Sequence, residues 1–222
     1  MRNVFGLVVS FVFIGIVIAS AKLFEKAGKE ASRKYIHIVL SNWWIIAMVF
    51  FDSPYWAMIG PVIFVFVNYA SYKFNLIKSM ERDEAEKDGL GTVYYAVTLL
   101  VLSVLCFGPL KDYKGVWGPI LGLAGVAVMG YADALAAIIG RSVKSPSYKI
   151  WTTRKTLAGS LAMGATTFII ISGCLAYLAI PYWYFKSISI AIIDMVLEAI
   201  SIRGTDNLTV PLATFGLLLL VI

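Results

Sequence analysis

Asp133 lies near the end of a long apolar run, Val116 to Ile139, and Arg141, Lys144, Lys149, Arg154 and Lys155 follow in a short loop. A second apolar run then opens with Lys155-Thr-Leu-Ala-Gly-Ser160. A carboxylate at a bilayer boundary is costly unless it meets a cation, and a basic loop facing it suits a metal ion and phosphates. The simpler reading pairs Asp133 with Arg141 or Lys144. Arg154, Lys155 and Thr156 read as the first residues of the next helix, where cations oppose the helix dipole unless an anion lies between them. That placement points to bound phosphate, and so to chemistry on a phosphorylated, water-soluble reagent at a membrane surface.

Other polar residues in apolar surroundings raise the same question. Asp194 and Glu198 are four residues apart and share a helix face. Their charges repel unless one is neutral, a basic side chain intervenes, or a hard cation such as Mg²⁺ takes them. Glu198 is nearer the basic end of its segment and is the better ligand of the two. Asp206 and Asn207 open the last apolar segment ahead of Pro211, as an N-cap, as a ligand and anion site, or as both. Arg33, Lys34 and His37, the only histidine, share a helix face. They read either as a snorkelling interfacial cluster or as two phosphate-binding cations beside a base. The mixed-charge loop 81–91 reads as a solvated connection that offers Asp83 and Glu84 as further metal candidates. No P-loop, GxSxG, HExxH or dinucleotide fingerprint occurs, which argues against a soluble-kinase fold.

The scaffold for these groups is set by composition. The 222 residues are 60% hydrophobic and 14% charged, against about 45–50% and 25% in soluble domains. Mean hydropathy is +0.83. The expected fold is an all-α polytopic transmembrane bundle, one domain over 1–222. With about 20 residues per span, eight segments emerge: 4–21, 36–51, 54–71, 92–108, 116–139, 157–180, 187–202 and 207–222. The last two are short, so the count is seven or eight. Gly115, Gly118, Gly122, Gly125 and Gly130, with GxxxG spacing at 118 and 122, place the fifth segment centrally among close-packed helices.

Charge sets the orientation. One set of loops holds Lys22, Lys26, Lys29, Arg33 and Lys34, then Lys73, Lys78, Arg82 and Lys87, then the cations from Arg141 to Lys155, then Arg203. Only Arg2, Lys111, Lys114 and Lys186 fall on the other side. The positive-inside bias puts these loops in the cytoplasm and the N-terminus outside, in a cell membrane of prokaryotic type. The pI near 9.2 then reflects an anionic leaflet rather than nucleic acid. Ala19-Ser20-Ala21 has the form of a signal-peptide cleavage site, but cleavage there would send the Lys22–Lys34 cluster outward, so the first segment is read as a retained span. Cys106 and Cys174 read as small buried hydrophobes, with neither a disulfide nor a zinc site indicated.

Taken in order, the motifs resemble the CTP-dependent polyprenol kinases: the dolichol, phytol and farnesol kinases, the yeast-type diacylglycerol kinases and, distantly, the CDP-diacylglycerol synthases. The resembling blocks are Arg33-Lys-Tyr-Ile-His37, Gly89-Leu-Gly-Thr-Val-Tyr-Tyr95, Gly130-Tyr-Ala-Asp-Ala-Leu-Ala-Ala137, Ile139-Gly-Arg141, Lys155-Thr-Leu-Ala-Gly-Ser160, and Glu198 followed by Asp206-Asn-Leu-Thr-Val-Pro211. Gly130-Tyr-Ala-Asp133 keeps the acid of the family's G-x-G-D but loses one glycine. Ala158 stands where the dolichol and diacylglycerol kinase pattern K-[ST]-x-E-G-S has Glu, which turns the resemblance toward phytol and farnesol kinases.

The resemblance implies transfer of the γ-phosphoryl group of CTP, or another nucleoside triphosphate, to a membrane-dissolved isoprenoid alcohol such as phytol, farnesol or geranylgeraniol. Asp133, with Glu198 or Asp206, would hold Mg²⁺. Lys155, Arg154, Arg141 and Lys144, with Thr156 and Gly159, and the pair Arg33 and Lys34, would hold phosphates. Asn207 and Ser160 would orient the nucleotide, and His37 or Asp206 would take the alcohol proton. Two rival readings are a cytidylyltransferase, in which a lipid phosphate attacks the α-phosphate, and a small transporter that relays ions through Asp133, Asp194 and Glu198. Whether two copies pair as a homodimer is left open.

Overall fold

The computed structural model describes residues 1–74, 90–151, 153–202 and 204–222, without the side chains of 25–27, 29, 30 and 153. Lys78, Arg82, Asp83, Glu84, Lys87, Gly89 and Arg203, and the side chains of Lys26 and Lys29, lie outside the described residues. Within them the chain is helical, and every expected segment is largely helix. α1 (Arg2–Ala21) leads through a 3₁₀ turn to α2 (Lys29–Ser41), α3 (Trp43–Phe50), α4 (Pro54–Ala57), α5 (Ile59–Phe74) and α6 (Gly91–Phe107). A two-residue ribbon, β1 (Asp112–Tyr113) with β2 (Val116–Trp117), precedes α7 (Gly118–Ala127) and α8 (Asp133–Ser142). A second hairpin, β3 (Ser147–Ile150) with β4 (Thr153–Thr156), leads to α9 (Leu157–Tyr177), α10 (Trp183–Ile200) and α11 (Asp206–Val221).

Four helical runs are long and apolar enough to cross a bilayer: Arg2–Phe24, Pro54–Phe74, Gly118–Ser142 and Leu157–Tyr177. Gly91–Phe107 and Asp206–Val221 are shorter apolar helices. Lipid leaves backbone groups no partner but one another, which is why the apolar runs are helical throughout.

The glycine-rich run is the centre of the bundle, 56% buried against 22–33% for the other three long runs. It packs on α2, α3, α6, α9 and α11. At Gly122 a β-carbon would lie 2.4 Å from Trp44 Cζ2 and 2.8 Å from Cys106 Sγ, so three helices meet there only because the side chain is absent. Trp44 seals the contact by donating its indole N–H to Pro119 O at 2.8 Å.

Four local features depart from the sequence expectation. The segment 36–51 is two helices, α2 and α3, which meet at Asn42. α2 begins at Lys29, seven residues before the apolar run, and its Arg33 and Lys34 are buried rather than solvated. The loop 141–155 contains a β-hairpin, so Arg154 and Lys155 belong to a strand and not to the start of α9. Between α7 and α8 the helix widens into a π turn, Val128–Ala132.

Candidate active site

Asp133 follows directly on the π turn. Such a turn carries an extra residue, which rotates everything after it and commonly marks a functional site. Gly130 allows it: a β-carbon there would lie 2.4 Å from Ser41 Cβ and 3.1 Å from His37 O, so the turn sits flush on α2. Tyr131 fastens the contact, its hydroxyl donating to Asn42 Oδ1 at 2.9 Å. Asp133 is thereby presented to α2, where Lys34 Nζ donates to its Oδ2. The simpler sequence reading, a pair with Arg141 or Lys144, is replaced by Lys34, 99 residues away in the chain. Arg33, Lys34 and His37 are all buried, at 4%, 4% and 3% exposure, so they are no snorkelling cluster.

A second pair forms beside the first. Lys155 Nζ donates to Glu198 Oε1 and lies 3.9 Å from Asp206 Oδ2. Burial acts to lower the Lys155 pKa, but Glu198 and then Asp206 overcome it and hold the ammonium above its ordinary value, with Asp133 adding to the effect. Asp133 is thus within Coulomb range of Lys155, and the two pairs form one cluster. Its residues come from α2, α8, β4, α10 and α11.

The hairpin aims Lys155. Side chains alternate along a strand, so Lys155 turns inward while Arg154 is exposed and donates from Nε and Nη2 to Ser147 Oγ at 3.0 and 2.7 Å. The expected joint phosphate cradle of Arg154 and Lys155 is therefore not assembled. Arg141 and Lys144 are exposed at the end of α8 and beyond it. Thr156 caps α9, accepting from the Gly159 N–H at 3.2 Å and donating to Gly140 O at 3.3 Å. Gly159 and Gly140 bring the two backbones together, with a Gly140 β-carbon only 3.4 Å from Gly159 Cα. Ser160 shares a hydrogen bond with the Tyr148 hydroxyl. In this state Thr156, Gly159 and Ser160 hold the hairpin against α8 and α9.

Asp206 begins α11, after Thr205 as N-cap, and its Oδ1 accepts the Asn207 N–H at 2.9 Å while Oδ2 faces Lys155. The N-cap is therefore Thr205, without a side-chain cap bond, and Asp206, one residue inside the helix, is left to face Lys155. Asn207 is buried; its Nδ2 donates to Gly91 O at 3.2 Å and its own C=O accepts from Thr98 Oγ1 at 2.7 Å. Asp194 accepts from Thr214 Oγ1 at 2.6 Å while Glu198 accepts from Lys155, so the two acids have different partners.

Asp133, Glu198 and Asp206 form no three-ligand metal cluster among the described residues. Each faces a lysine instead. Glu198 Oε2 and Asn207 Oδ1 are buried and have no hydrogen-bond partner among the described residues. These are hard oxygen donors, and Mg²⁺ typically takes one or two carboxylates and completes its shell with phosphates and water. The residues therefore fit a metal that arrives with a nucleotide better than one resident in a protein cage.

Tyr95 is the neighbour that sequence reasoning placed in a motif without a role. Its ring lies 4.6 Å from that of His37, and its hydroxyl donates to His37 O at 3.1 Å. The signal was available, since Tyr95 ends the Gly89–Tyr95 block, but its partner was not. Tyr131 and Asn42 were likewise unassigned.

No family model and no solved structure matches the chain. Curated relatives do. The chain is 27% identical over 91% of its length to a phytol kinase of Synechocystis sp., covering 85% of that protein. It is 31% identical over 83% of its length to probable phytol kinase 1, chloroplastic, of Glycine max, covering 65% of it. It is 25% identical over 90% of its length to probable phytol kinase 2, chloroplastic, of Oryza sativa subsp. japonica, covering 71%. Along most of its length the chain is thus similar to proteins named as phytol kinases or probable phytol kinases.

Proposed function

We propose that this protein is a prenol kinase that transfers the γ-phosphoryl group of CTP to the hydroxyl of an isoprenoid alcohol in the bilayer, of the phytol, farnesol or geranylgeraniol class. The active site lies at the cytoplasmic face of a cell membrane, with the N-terminus on the opposite side. The observation that carries this reading is the meeting of Lys34–Asp133 and Lys155–Glu198, with Asp206 beside Lys155, from five separate segments of the chain.

Phosphoryl transfer asks the protein mainly to position reactants and neutralise charge. Lys155 and Lys34 would take up phosphate oxygens and release their carboxylates, while Arg33, Arg154, Arg141 and Lys144 attract the polyanion. Glu198, Asp206 and Asp133, with Asn207 Oδ1, would hold Mg²⁺, which would supply positive charge against the phosphates. The alcohol oxygen forms its bond to the γ-phosphorus as the bond to the bridging oxygen breaks, and a nucleoside diphosphate leaves. His37 or Asp206 takes the hydroxyl proton.

The test uses purified protein, Mg²⁺, geranylgeraniol and CTP labelled at either the α or the γ position. Lipid that gains only γ label supports the kinase. Lipid phosphate that gains α label makes the protein a cytidylyltransferase, and no label from either position ends the reading.

A further inference from the structure

Pro211 sits inside α11 and has no N–H, so the carbonyl four residues before it, Asn207 O, loses the donor that an unbroken helix would supply. In an apolar bundle a carbonyl without a donor is costly. Thr98 of α6 supplies the missing bond, its buried hydroxyl donating to Asn207 O at 2.7 Å. Proline and threonine thus form a matched pair: one removes a donor within α11, and the other replaces it from a neighbouring helix.

The replacement fixes Asn207 as well as satisfying it. Gly91 and Thr98 are seven residues apart on α6 and share one face. Helix carbonyls point toward the C-terminus and side chains lean toward the N-terminus, so Gly91 O and Thr98 Oγ1 approach each other, and Asn207 bridges them. Its Nδ2 donates to Gly91 O at 3.2 Å while its main chain accepts from Thr98. A carbonyl only accepts, so the amide atom against Gly91 is nitrogen and Oδ1 is turned away from it. That oxygen is buried, without a partner among the described residues, and belongs to the neighbour of Asp206, whose Oδ2 lies 3.9 Å from Lys155 Nζ. The contact is close: a β-carbon at Gly91 would lie 3.2 Å from Asn207 Nδ2 and 3.5 Å from Gly204 Cα. The first turn of α6 is held in turn from α5, where buried Asn68 donates from Nδ2 to Thr92 O at 2.8 Å.

We propose that α6 is the template for Asn207, and that Thr98, paired with Pro211, is a positioning residue that keeps Asn207 Oδ1 presented to the metal–nucleotide complex. The inference rests on the prenol kinase reading, in which Asn207 Oδ1 is one of the metal's donors. A side chain pinned at both ends gives up its one free oxygen without first paying to order it, and losing such an outer tether typically weakens metal binding by about 10–100-fold.

The test measures CTP affinity by calorimetry on the whole purified protein, in excess Mg²⁺ and again in EDTA, beside thermal unfolding. Thr98→Val should lower the unfolding temperature and weaken CTP binding in Mg²⁺ by roughly tenfold or more. The loss in binding should vanish in EDTA, where CTP arrives without metal, and Thr98→Ser should restore both properties. Pro211→Ala returns an N–H to Asn207 O within α11, so Thr98→Val/Pro211→Ala should regain the unfolding temperature while its Mg²⁺-dependent binding stays weak. Recovery of both would mean that the Thr98 bond only satisfies a carbonyl, and would overturn the inference. A cycle with Asn207 decides the matter even where that double variant does not fold. Thr98→Val should weaken binding in the wild-type background and have no further effect in Asn207→Ala; equal losses in both backgrounds, or none in either, overturn it. A wild-type chain that binds no CTP overturns it too. These variant effects in a protein that phosphorylates no prenol leave the positioning role standing and end the kinase reading.

Discussion

Lys155, on the second strand of a small hairpin, ends on Glu198, 43 residues later and within three residues of the end of α10. The pair is buried, at 15% and 6% side-chain exposure. Burying two charges is costly, and removing one partner leaves the other without compensation. Such an arrangement contributes little net stability, so it fits a site that trades one ionic partner for another.

Lys155→Ala should therefore destabilise the protein by about 3–5 kcal/mol, the usual cost of orphaning a buried charge. The double variant Lys155→Ala/Glu198→Ala should regain most of that in thermal unfolding in detergent. Activity should fall by roughly 100-fold or more in both, since phosphate stabilisation is lost either way. A double variant as active as the wild type would remove Lys155 from the mechanism.

Asp133→Asn keeps the shape of the side chain and removes its charge. It should reduce phosphoryl transfer by roughly 100-fold or more and weaken the dependence on Mg²⁺ concentration. Full activity in folded Asp133→Asn protein would end its proposed metal role.

Asp194 serves as the control. It is completely buried and bonded to Thr214, whose hydroxyl also lies 2.9 Å from Val210 O. Thr214→Val should cost about 1–3 kcal/mol by stranding a buried acceptor. Asp194→Asn should leave the catalytic rate within about threefold of wild type, because it lies outside the cluster. A loss as large as that of Asp133→Asn would instead place Asp194 in the catalytic machinery.

The sign of the Lys155 shift gives a pH prediction. A raised folded pKa means that the pair's contribution is complete below the ordinary lysine value and is lost only as pH rises through the higher folded value. The stability difference between wild type and Lys155→Met should stay constant between about pH 7 and 9. A difference that shrinks within that window would mean the ammonium is not held by Glu198 and Asp206.

Gly122→Ala should destabilise the bundle by about 1–3 kcal/mol through overpacking against Trp44. Gly173→Ala, where nothing lies within 4 Å, should be neutral or mildly stabilising. Thermal denaturation of the two in the same detergent makes the comparison.

The chain's own chemistry determined the helices, their approximate ends and the cost of every polar residue among them, because hydropathy and charge in lipid are properties of short windows. Asp133, Glu198 and Asp206 could be singled out on that basis, and so could Lys34 and Lys155. Their partners could not. The π turn before Asp133 depends on Gly130 lying flush against Ser41, and the inward aim of Lys155 depends on a hairpin whose strands are only four residues long, too short for their alternation to stand out within a basic loop. Whether Asp133 would meet Arg141 nearby or Lys34 across the bundle was decided by helix packing, since the pairing energies are alike and only the tertiary arrangement chooses which charges are buried together.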